Sequence, residues 1–200
     1  MIDLKILKLF PHPIFCFKLE NFQNVNIELL NFIYDEQKND PEGINRSNVN
    51  GWHSKNFNLS NENPARSFGL NLQKYLKVVF SNYGWPFKEN IVKLAQMWAI
   101  INKKNSFNKA HIHPNNYLSS AYYVKAPKGC GNIKFYNPNE VSRNRFPSGT
   151  KSTEFSANLR SIEPEEGDLL IFPSYLYHSV DANISDEDRV IISFNVDIAK

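Results

Sequence analysis

The chain has 200 residues, of which 42% are apolar and 14% aromatic, a composition that excludes a disordered protein and fits a packed globular fold. Its 23 Lys and Arg are nearly balanced by 20 Asp and Glu and are interspersed along the chain, so we expect no nucleic-acid binding. No apolar window reaches the length of a membrane span and the N-terminus lacks the features of a secretory signal, so we expect a soluble, cytoplasmic protein without membrane contact.

The first 90 residues are predicted to open with a strand and continue as helix and loop. Residues 4–19 are predicted to form a strand interrupted at Pro11 and Pro13, because proline donates no ladder hydrogen bond. Between Asn24 and Glu36, apolar residues recur at helical spacing and predict one amphipathic helix.

A long loop and a second helix are expected next. Residues 40–63 are rich in Asn, Ser, Gly and Pro, which predicts a loop. Its Trp52 and His53 are candidates for a lid over a site; the alternative is that Trp52 anchors the loop and His53 is exposed. The second helix is predicted to start near Pro64, after Asn63 as N-cap, and to end at Gly84.

From residue 91 the spacing changes to short runs of strand length, which predict a jelly roll. Eight runs are separated by Gly, Pro and Asn: 91–102, 108–114, 117–125, 131–138, 158–164, 167–173, 177–182 and 188–198. This number fits a mainly β fold, a double-sheet jelly roll with the N-terminal helices packed on one sheet. We therefore expect a single domain over residues 1–200, in which residues 1–90 support a jelly-roll catalytic core at 91–200.

Two of the five histidines, His111 and His113, stand one residue apart in a strand-like run. Side chains at i and i+2 of a strand project from the same face, so this pair could chelate a metal; structural histidines are the alternative. Cys16 and Cys130 are too distant in sequence to indicate a thiolate site or a disulfide scaffold, and we expect both to be reduced.

The last predicted strand separates two kinds of face. One face is apolar and is assigned to packing against the helices, with residues Val190, Ile192, Phe194 and Val196. The other carries Arg189, Ile191, Ser193 and Asn195, and its three polar residues would be costly to bury unless they line a polar cavity or find hydrogen-bond partners; a solvated outer face is the alternative. His178 lies eleven residues before Arg189, and a jelly roll can bring its ring to His111 and His113. Three ligands on one side of a metal would leave coordination positions open for chemistry.

The order of H-x-H, paired tyrosines, "FPSYLYH" and "RVIISFN" resembles the double-stranded β-helix of iron(II)- and 2-oxoglutarate-dependent oxygenases. More narrowly, it is similar to an uncharacterised group of these enzymes in marine bacteria and their phages, which also carries segments like "RSNVNGWHS" at 46–54 and a tryptophan strand like that of Trp98. The resemblance covers nearly the whole chain and implies a location in a bacterial or phage-infected cell.

The resemblance implies roles for seven residues. His111, His113 and His178 would bind Fe(II), and Arg189 would pair with the distal carboxylate of 2-oxoglutarate through its planar fork. Ser193 and Tyr123 would supply hydroxyl partners for that carboxylate, with Tyr123 favoured over Tyr122 and core packing as its alternative. Asn195 is a further candidate for contact with the cosubstrate or the substrate.

One departure from the pattern leaves alternatives open. Most members of this superfamily have Asp or Glu where this chain has His113, so three neutral imidazoles would leave the metal its full double charge. This substitution could strengthen chelation of 2-oxoglutarate, or indicate another metal or a three-histidine, cupin-like dioxygenase that uses no keto acid. Asp181 is disfavoured as a substitute carboxylate ligand because it falls on the turn side. A non-enzymatic jelly-roll binding module is the third interpretation. The leading one is a hydroxylase of an unidentified peptide or small molecule.

Overall fold

The computed structural model describes residues 4–88, 91–139, 147, 149 and 151–199. Three helices and eleven strands occur in this part of the chain. In chain order they are β1 (Phe15–Lys18), α1 (Phe22–Asn39), β2 (Asn48–Val49), β3 (Trp52–His53), α2 (Pro64–Asn71), α3 (Gln73–Tyr83), β4 (Val92–Asn102), β5 (Phe107–His111), β6 (Leu118–Lys125), β7 (Ile133–Tyr136), β8 (Leu159–Ile162), β9 (Asp168–Pro173), β10 (His178–Val180) and β11 (Arg189–Ile198).

Two antiparallel sheets form the jelly roll that the strand spacing predicts. The larger sheet has the order β1-β9-β6-β11-β4-β3, and the smaller has the order β2-β5-β10-β7-β8. All eight runs predicted after residue 91 form strands, β4 to β11. The order is not sequential in either sheet, so residues distant in sequence become neighbours at the face between the sheets.

The N-terminal part differs in detail from its prediction. The opening strand is confined to Phe15–Lys18, after both prolines, and pairs with β9. The predicted loop at 40–63 contains β2 and β3, which add one strand to an edge of each sheet. Both strands are only two residues long, too short for a repeating pattern that sequence could reveal.

The helix predicted from Pro64 to Gly84 is two helices. Its start is as expected, because the Asn63 side chain accepts a hydrogen bond from the backbone N–H of Arg66 at 2.9 Å. The first helix ends at Asn71 and is capped by Leu72, whose N–H donates to the carbonyls of Phe68 and Gly69, each at 3.2 Å, before α3 begins. At the far end Gly84 has φ 67°, a left-handed conformation that glycine adopts without strain.

The helices cover one face of the larger sheet. The face of β11 assigned to the helices is fully buried there, with Val190, Ile192, Phe194 and Val196 at 0% exposure. They share a core with Leu29 and Ile33 of α1, and with residues of α2 and α3. Full burial of each such side chain contributes about 1.5–3 kcal/mol. The opposite face of the sheet packs against the smaller sheet in a second core that includes Trp98, Phe135 and Phe172.

None of the helices in the described ranges has the length and apolar character to cross a membrane.

Candidate metal centre

Three histidines meet where β5 and β10 run side by side. His111 is the last residue of β5 and pairs in register with His178, the first residue of β10. His113 lies just beyond β5, where its backbone N–H donates to the carbonyl of Ser174 at 3.0 Å. One nitrogen from each ring can be chosen so that all three atoms lie within 4.8 Å of one another. This spacing brings three ligand atoms within reach of one ion.

A β-bulge controls which residues of β5 face inward. His178 pairs with His111, but Val180, two residues further, pairs with Asn108, three residues back. The extra residue in β5 breaks the alternation of faces. As a result Asn108 and His111 line the same cavity, although their odd spacing in a regular strand would place them on opposite faces.

Backbone carbonyls fix the orientation of two of the rings. Nδ1 of His111 lies 2.7 Å from the carbonyl oxygen of Lys109, and Nδ1 of His178 lies 2.9 Å from that of Leu176. A carbonyl oxygen can only accept, so each Nδ1 carries the proton and donates it. Each Nε2 therefore keeps its lone pair, which is the arrangement that metal-binding histidines adopt.

Burial keeps the three rings neutral. It lowers the pKa of His178 to about 3, with a smaller effect of the neighbouring His111, and lowers the pKa of His113 to about 4 with the same neighbour assisting. Burial also lowers the pKa of His111. At neutral pH the triad is therefore unprotonated, and no proton has to leave before a cation binds.

The triad opens into a cavity of about 820 Å³ between the two sheets. Apolar side chains form much of its wall, among them Trp98, Phe172 and Ile191. A volume of this size accommodates a small molecule. Polar groups from both sheets also reach it: Ser193 and Asn195, on the face of β11 opposite the helices, line the cavity, so this face is not solvated from outside.

Arg189 is buried beside this cavity but does not line it. The residue has 0% exposure, and its Nη1 donates to the backbone carbonyls of Cys130, Gly131 and Asp181. Its Nε and Nη2 are also buried, and neither has a hydrogen-bond partner in the described part of the chain. A buried guanidinium with two unpartnered donors is costly, because each donor has lost water without replacement.

The two tyrosines of β6 face opposite sides of the larger sheet. Tyr122 points toward the helices, where its hydroxyl donates to Oδ1 of Asn26 at 2.6 Å. Tyr123 points inward and is buried in the core between the sheets, without lining the cavity. Burial raises the pKa of Tyr123, and the positive charge of Arg189 partly opposes that rise.

Ser193 and Asn195 both line the cavity. The Ser193 hydroxyl has no protein partner among the described residues, so it is available to a ligand. The Asn195 amide is already engaged, since its Oδ1 accepts from the Ser119 hydroxyl at 2.8 Å and its Nδ2 donates to Gln96 Oε1 at 3.0 Å. The disfavoured ligand Asp181 is not in the metal cluster, and its carboxylate pairs with Lys134 at 2.6 Å.

Among the residues that line the cavity, His53 and Asn108 are buried polar residues that were not assigned to it from the sequence. His53, considered as a lid residue or an exposed one, is buried in the wall and stacks on Trp98 with 5.7 Å between ring centroids. Trp52, by contrast, anchors the segment as one alternative expected, with its indole N–H donating to the carbonyl of Asp40 at 2.8 Å. Asn108 also lines the cavity. It was missed because the bulge that turns it inward depends on the pairing with β10 and leaves no signal in the sequence of β5 alone.

Comparison with known proteins gives one family match and several structural neighbours. The profile of a family described as "Putative 2OG-Fe(II) oxygenase" matches residues 96–195, half of the chain. No curated protein matches the sequence.

Three solved structures illustrate the shared fold. A Pseudomonas putida prolyl-4-hydroxylase is 9% identical, with 94% of each chain covered and a TM-score of 0.66. The epimerase SnoN from nogalamycin biosynthesis is 12% identical over 94% of this chain and 77% of its own, with a TM-score of 0.68. HygX from Streptomyces hygroscopicus, solved with nickel, 2-oxoglutarate and hygromycin B, is 10% identical over 94% and 83%, with a TM-score of 0.62. At these identities the likeness concerns the fold.

Proposed function

The chain belongs to this family of 2OG-Fe(II) oxygenases, and on that premise we propose that His111, His113 and His178 hold its iron(II) and that it hydroxylates a small-molecule or peptide substrate. As a member of the family it is a 2-oxoglutarate-dependent oxygenase, an oxidoreductase. Membership favours this activity over the keto-acid-independent dioxygenase and the binding module considered above. The convergence of three neutral imidazoles on one cavity is the observation that carries the proposed ligand set.

The residues present fit both cofactors. For the metal, His111 and His178 direct unprotonated Nε2 atoms away from the carbonyls that hold their Nδ1 protons. For 2-oxoglutarate, Arg189 offers Nε and Nη2, two adjacent donors without a partner among the described residues. Two parallel N–H groups match the two oxygens of a carboxylate, so a bound distal carboxylate would satisfy both orphaned donors.

The side chains around the triad have separable tasks in this proposal. Iron(II) and 2-oxoglutarate, when bound, supply the oxidising chemistry, in which oxygen converts 2-oxoglutarate to succinate and carbon dioxide and oxidises a C–H bond of the substrate. Ser193, which lines the cavity, and Arg189 and Tyr123, which are buried beside it, would orient the cosubstrate. Trp98, Phe172 and Ile191 give the cavity apolar walls that keep water from the reacting groups. The role of Asn195 is to shape the wall through its bonds to Ser119 and Gln96.

An anaerobic titration tests the proposed ligand set. Iron(II) and 2-oxoglutarate together should give a weak visible charge-transfer band, and admission of oxygen should yield succinate. His178→Ala should lose both signals, because only two of the three ligands remain, while His12→Ala should keep both, because His12 is exposed and is not part of the cluster. A His178→Ala protein that retained the band and formed succinate at the original rate would refute the assignment.

The role of Arg189 needs its own test, because its Nη1 already bonds to three carbonyls and a purely structural role would leave 2-oxoglutarate binding unaffected. Arg189→Leu should raise the KM for 2-oxoglutarate at least about tenfold with metal content unchanged, since a charge-assisted, bidentate contact is removed. Arg189→Lys keeps the charge but not the planar pair of donors, so its KM for 2-oxoglutarate should lie between those of the unaltered protein and Arg189→Leu. A less stable Arg189→Leu protein with an unchanged KM would assign the guanidinium to the fold alone.

A further inference from the structure

The rim of the cavity carries more positive than negative charge. Three cationic side chains, of Arg46, Lys55 and Lys109, are among the residues that line the cavity, and none of the described lining residues is an aspartate or glutamate. Lys55 is paired with Asp40 at 2.8 Å. Within the described ranges the Arg46 and Lys109 side chains have neither an ion-pair partner nor a hydrogen-bond partner, so two positive charges at the rim are uncompensated.

Backbone pairing brings the two segments that carry these cations side by side. β2 pairs with β5 through Asn48 and Asn108, and the N–H of Lys109 donates to the carbonyl of Ser47 at 2.8 Å. Continuing this antiparallel register places Arg46 opposite the stretch between Lys109 and His111. The Asn48 side chain also accepts from the backbone N–H of Arg46 at 2.8 Å. Arg46 and Lys109 therefore belong to neighbouring segments at one edge of the smaller sheet, and both line the cavity that the triad lines.

The positive charge of Arg46 acts on His53, a residue of the cavity wall. Burial is the largest cause that lowers the pKa of His53 in the cavity wall, and the positive charge of Arg46 lowers it further. Nδ1 of His53 donates to the carbonyl of Ser54 at 2.7 Å, which leaves Nε2 as an acceptor. An anion at the rim would therefore meet the cations, and Nε2 of His53 offers an acceptor to a hydrogen-bond donor elsewhere in the same molecule.

A second, independent feature of the same wall indicates a polar ligand. Asn108 is only 2% exposed and lines the cavity. One end of its amide donates to the Ser47 hydroxyl at 3.3 Å, and Oδ1 at the other end is buried without a partner among the described residues. Buried amide groups are nearly always hydrogen-bonded, so this end is expected to acquire a partner when the cavity is filled.

We propose that the substrate of this oxygenase is a small molecule with a carboxylate or phosphate group, which Arg46 and Lys109 bind at the cavity rim, while Oδ1 of Asn108 accepts a hydrogen bond from a donor group beneath it. This inference rests on the proposed function and narrows its substrate class. A cavity of about 820 Å³ accommodates such a molecule whole. The anionic group supplies the missing counter-charge, and the reacting C–H bond lies between it and the triad.

The test uses protein loaded with nickel(II) and saturated with 2-oxoglutarate, so that a probe cannot occupy the cosubstrate's own position. Titration calorimetry compares two anions with neutral partners of similar shape: phenylacetate with phenylacetamide, and phenyl phosphate with phenol. At least one anion should bind about tenfold or more tightly than its partner, as expected for charge-assisted contacts. The two pairs distinguish a carboxylate from a phosphate site.

Matched variants locate the preference. In the double variant Arg46→Gln, Lys109→Gln the anion and its neutral partner should bind with nearly equal affinity. The control Lys128→Gln, Arg160→Gln removes the same charge from exposed positions outside the cavity and should keep the preference. Equal binding of both members in the unaltered protein, absence of binding by every probe, or a preference that survives in the rim variant would overturn the proposal. Nickel and 2-oxoglutarate binding, measured first, show separately whether the proposed function itself has failed.

Discussion

At the scale of single residues, the environment of each histidine sets what it can do. His12 is exposed, whereas His111, His113 and His178 lie against one another with ring centroids 4.3–5.2 Å apart. Three imidazolium ions could not coexist at that distance in a buried site, because neighbouring like charges and lost hydration both oppose protonation. The cluster therefore favours a bound cation over bound protons.

This arrangement predicts a stability that falls in acid for the metal-stripped protein. The folded-state pKa values of His178 and His113, about 3 and about 4, lie below the value near 6.5 of an unfolded histidine. Between these pKa values the unfolded chain binds more protons than the folded one. The contribution of the two histidines to stability is therefore fully present above about pH 6.5 and is lost as the pH falls towards their folded-state pKa values. Each buried histidine should contribute up to about 1.4 kcal/mol per pH unit to the free energy of unfolding, measured by urea denaturation.

Two variants separate the cluster from the rest of the acid response. His178→Gln should reduce the slope between pH 6.5 and 4, and the exposed His12→Gln should leave it as it is. Equal slopes in all three proteins would mean that the histidines are not buried as neutral groups in solution.

Candidate site residues could be identified from the sequence only where a recognisable motif contains them. His111, His113 and His178 could be identified because an H-x-H pair followed by a further histidine is a recognisable pattern of metal ligands. Asn108 could not, because its inward direction depends on a bulge that exists only against β10. His53 was misjudged because β3, the two-residue strand that carries it to the wall, lies in a segment with a loop's composition.

At the scale of elements, β6 separates a structural face from a proposed functional one. Tyr122→Phe would leave the buried Oδ1 of Asn26 without its donor, so the free energy of unfolding should fall by about 1–3 kcal/mol. Tyr123→Phe removes a hydroxyl from the other face and should instead raise the KM for 2-oxoglutarate severalfold. Urea unfolding and steady-state kinetics on both proteins measure the two effects.

The pair serves as its own control, because both changes delete one hydroxyl from adjacent residues of the same strand. The opposite pattern, with Tyr122→Phe altering the KM and Tyr123→Phe only the stability, would show that the strand's faces have been assigned the wrong way round.

Elements were predictable from sequence where they were long enough to show a period. The eight runs after residue 91 each became a strand, and the capping Asn63 and terminal Gly84 bound the helical region as expected. The interruption at Leu72 was not predictable, because Phe68, Leu72 and Leu76 keep helical spacing across it and all are buried. The spacing of apolar residues indicates which side of a helix is buried, but it does not indicate where the backbone hydrogen bonds of one helix end and those of the next begin.

At the scale of the whole molecule, the proposed site draws on both sheets. The three histidines come from β5, β10 and the segment after β5, on the side of the smaller sheet, whereas Arg189, Tyr123 and Ser193 come from β11 and β6 of the larger one. A metal bound by the first group and 2-oxoglutarate held between both groups would connect the two layers. Ligands that bind only the folded chain stabilise it by mass action.

The effect of 2-oxoglutarate on thermal stability should therefore depend on whether the metal is bound. Nickel(II) at about 100 times its dissociation constant should stabilise the protein by about 2.7 kcal/mol, which for a chain of this size raises the Tm by about 5–10 °C. With nickel present, 2-oxoglutarate should raise the Tm further, because its chelating oxygens then have a partner. Without metal it should have little effect, since Arg189 alone would hold it by one end. In His178→Ala the metal-dependent increments should disappear. A full response to 2-oxoglutarate in the metal-free protein would instead place the keto acid at a site independent of the histidines, and the two sheets would then not be linked through the metal.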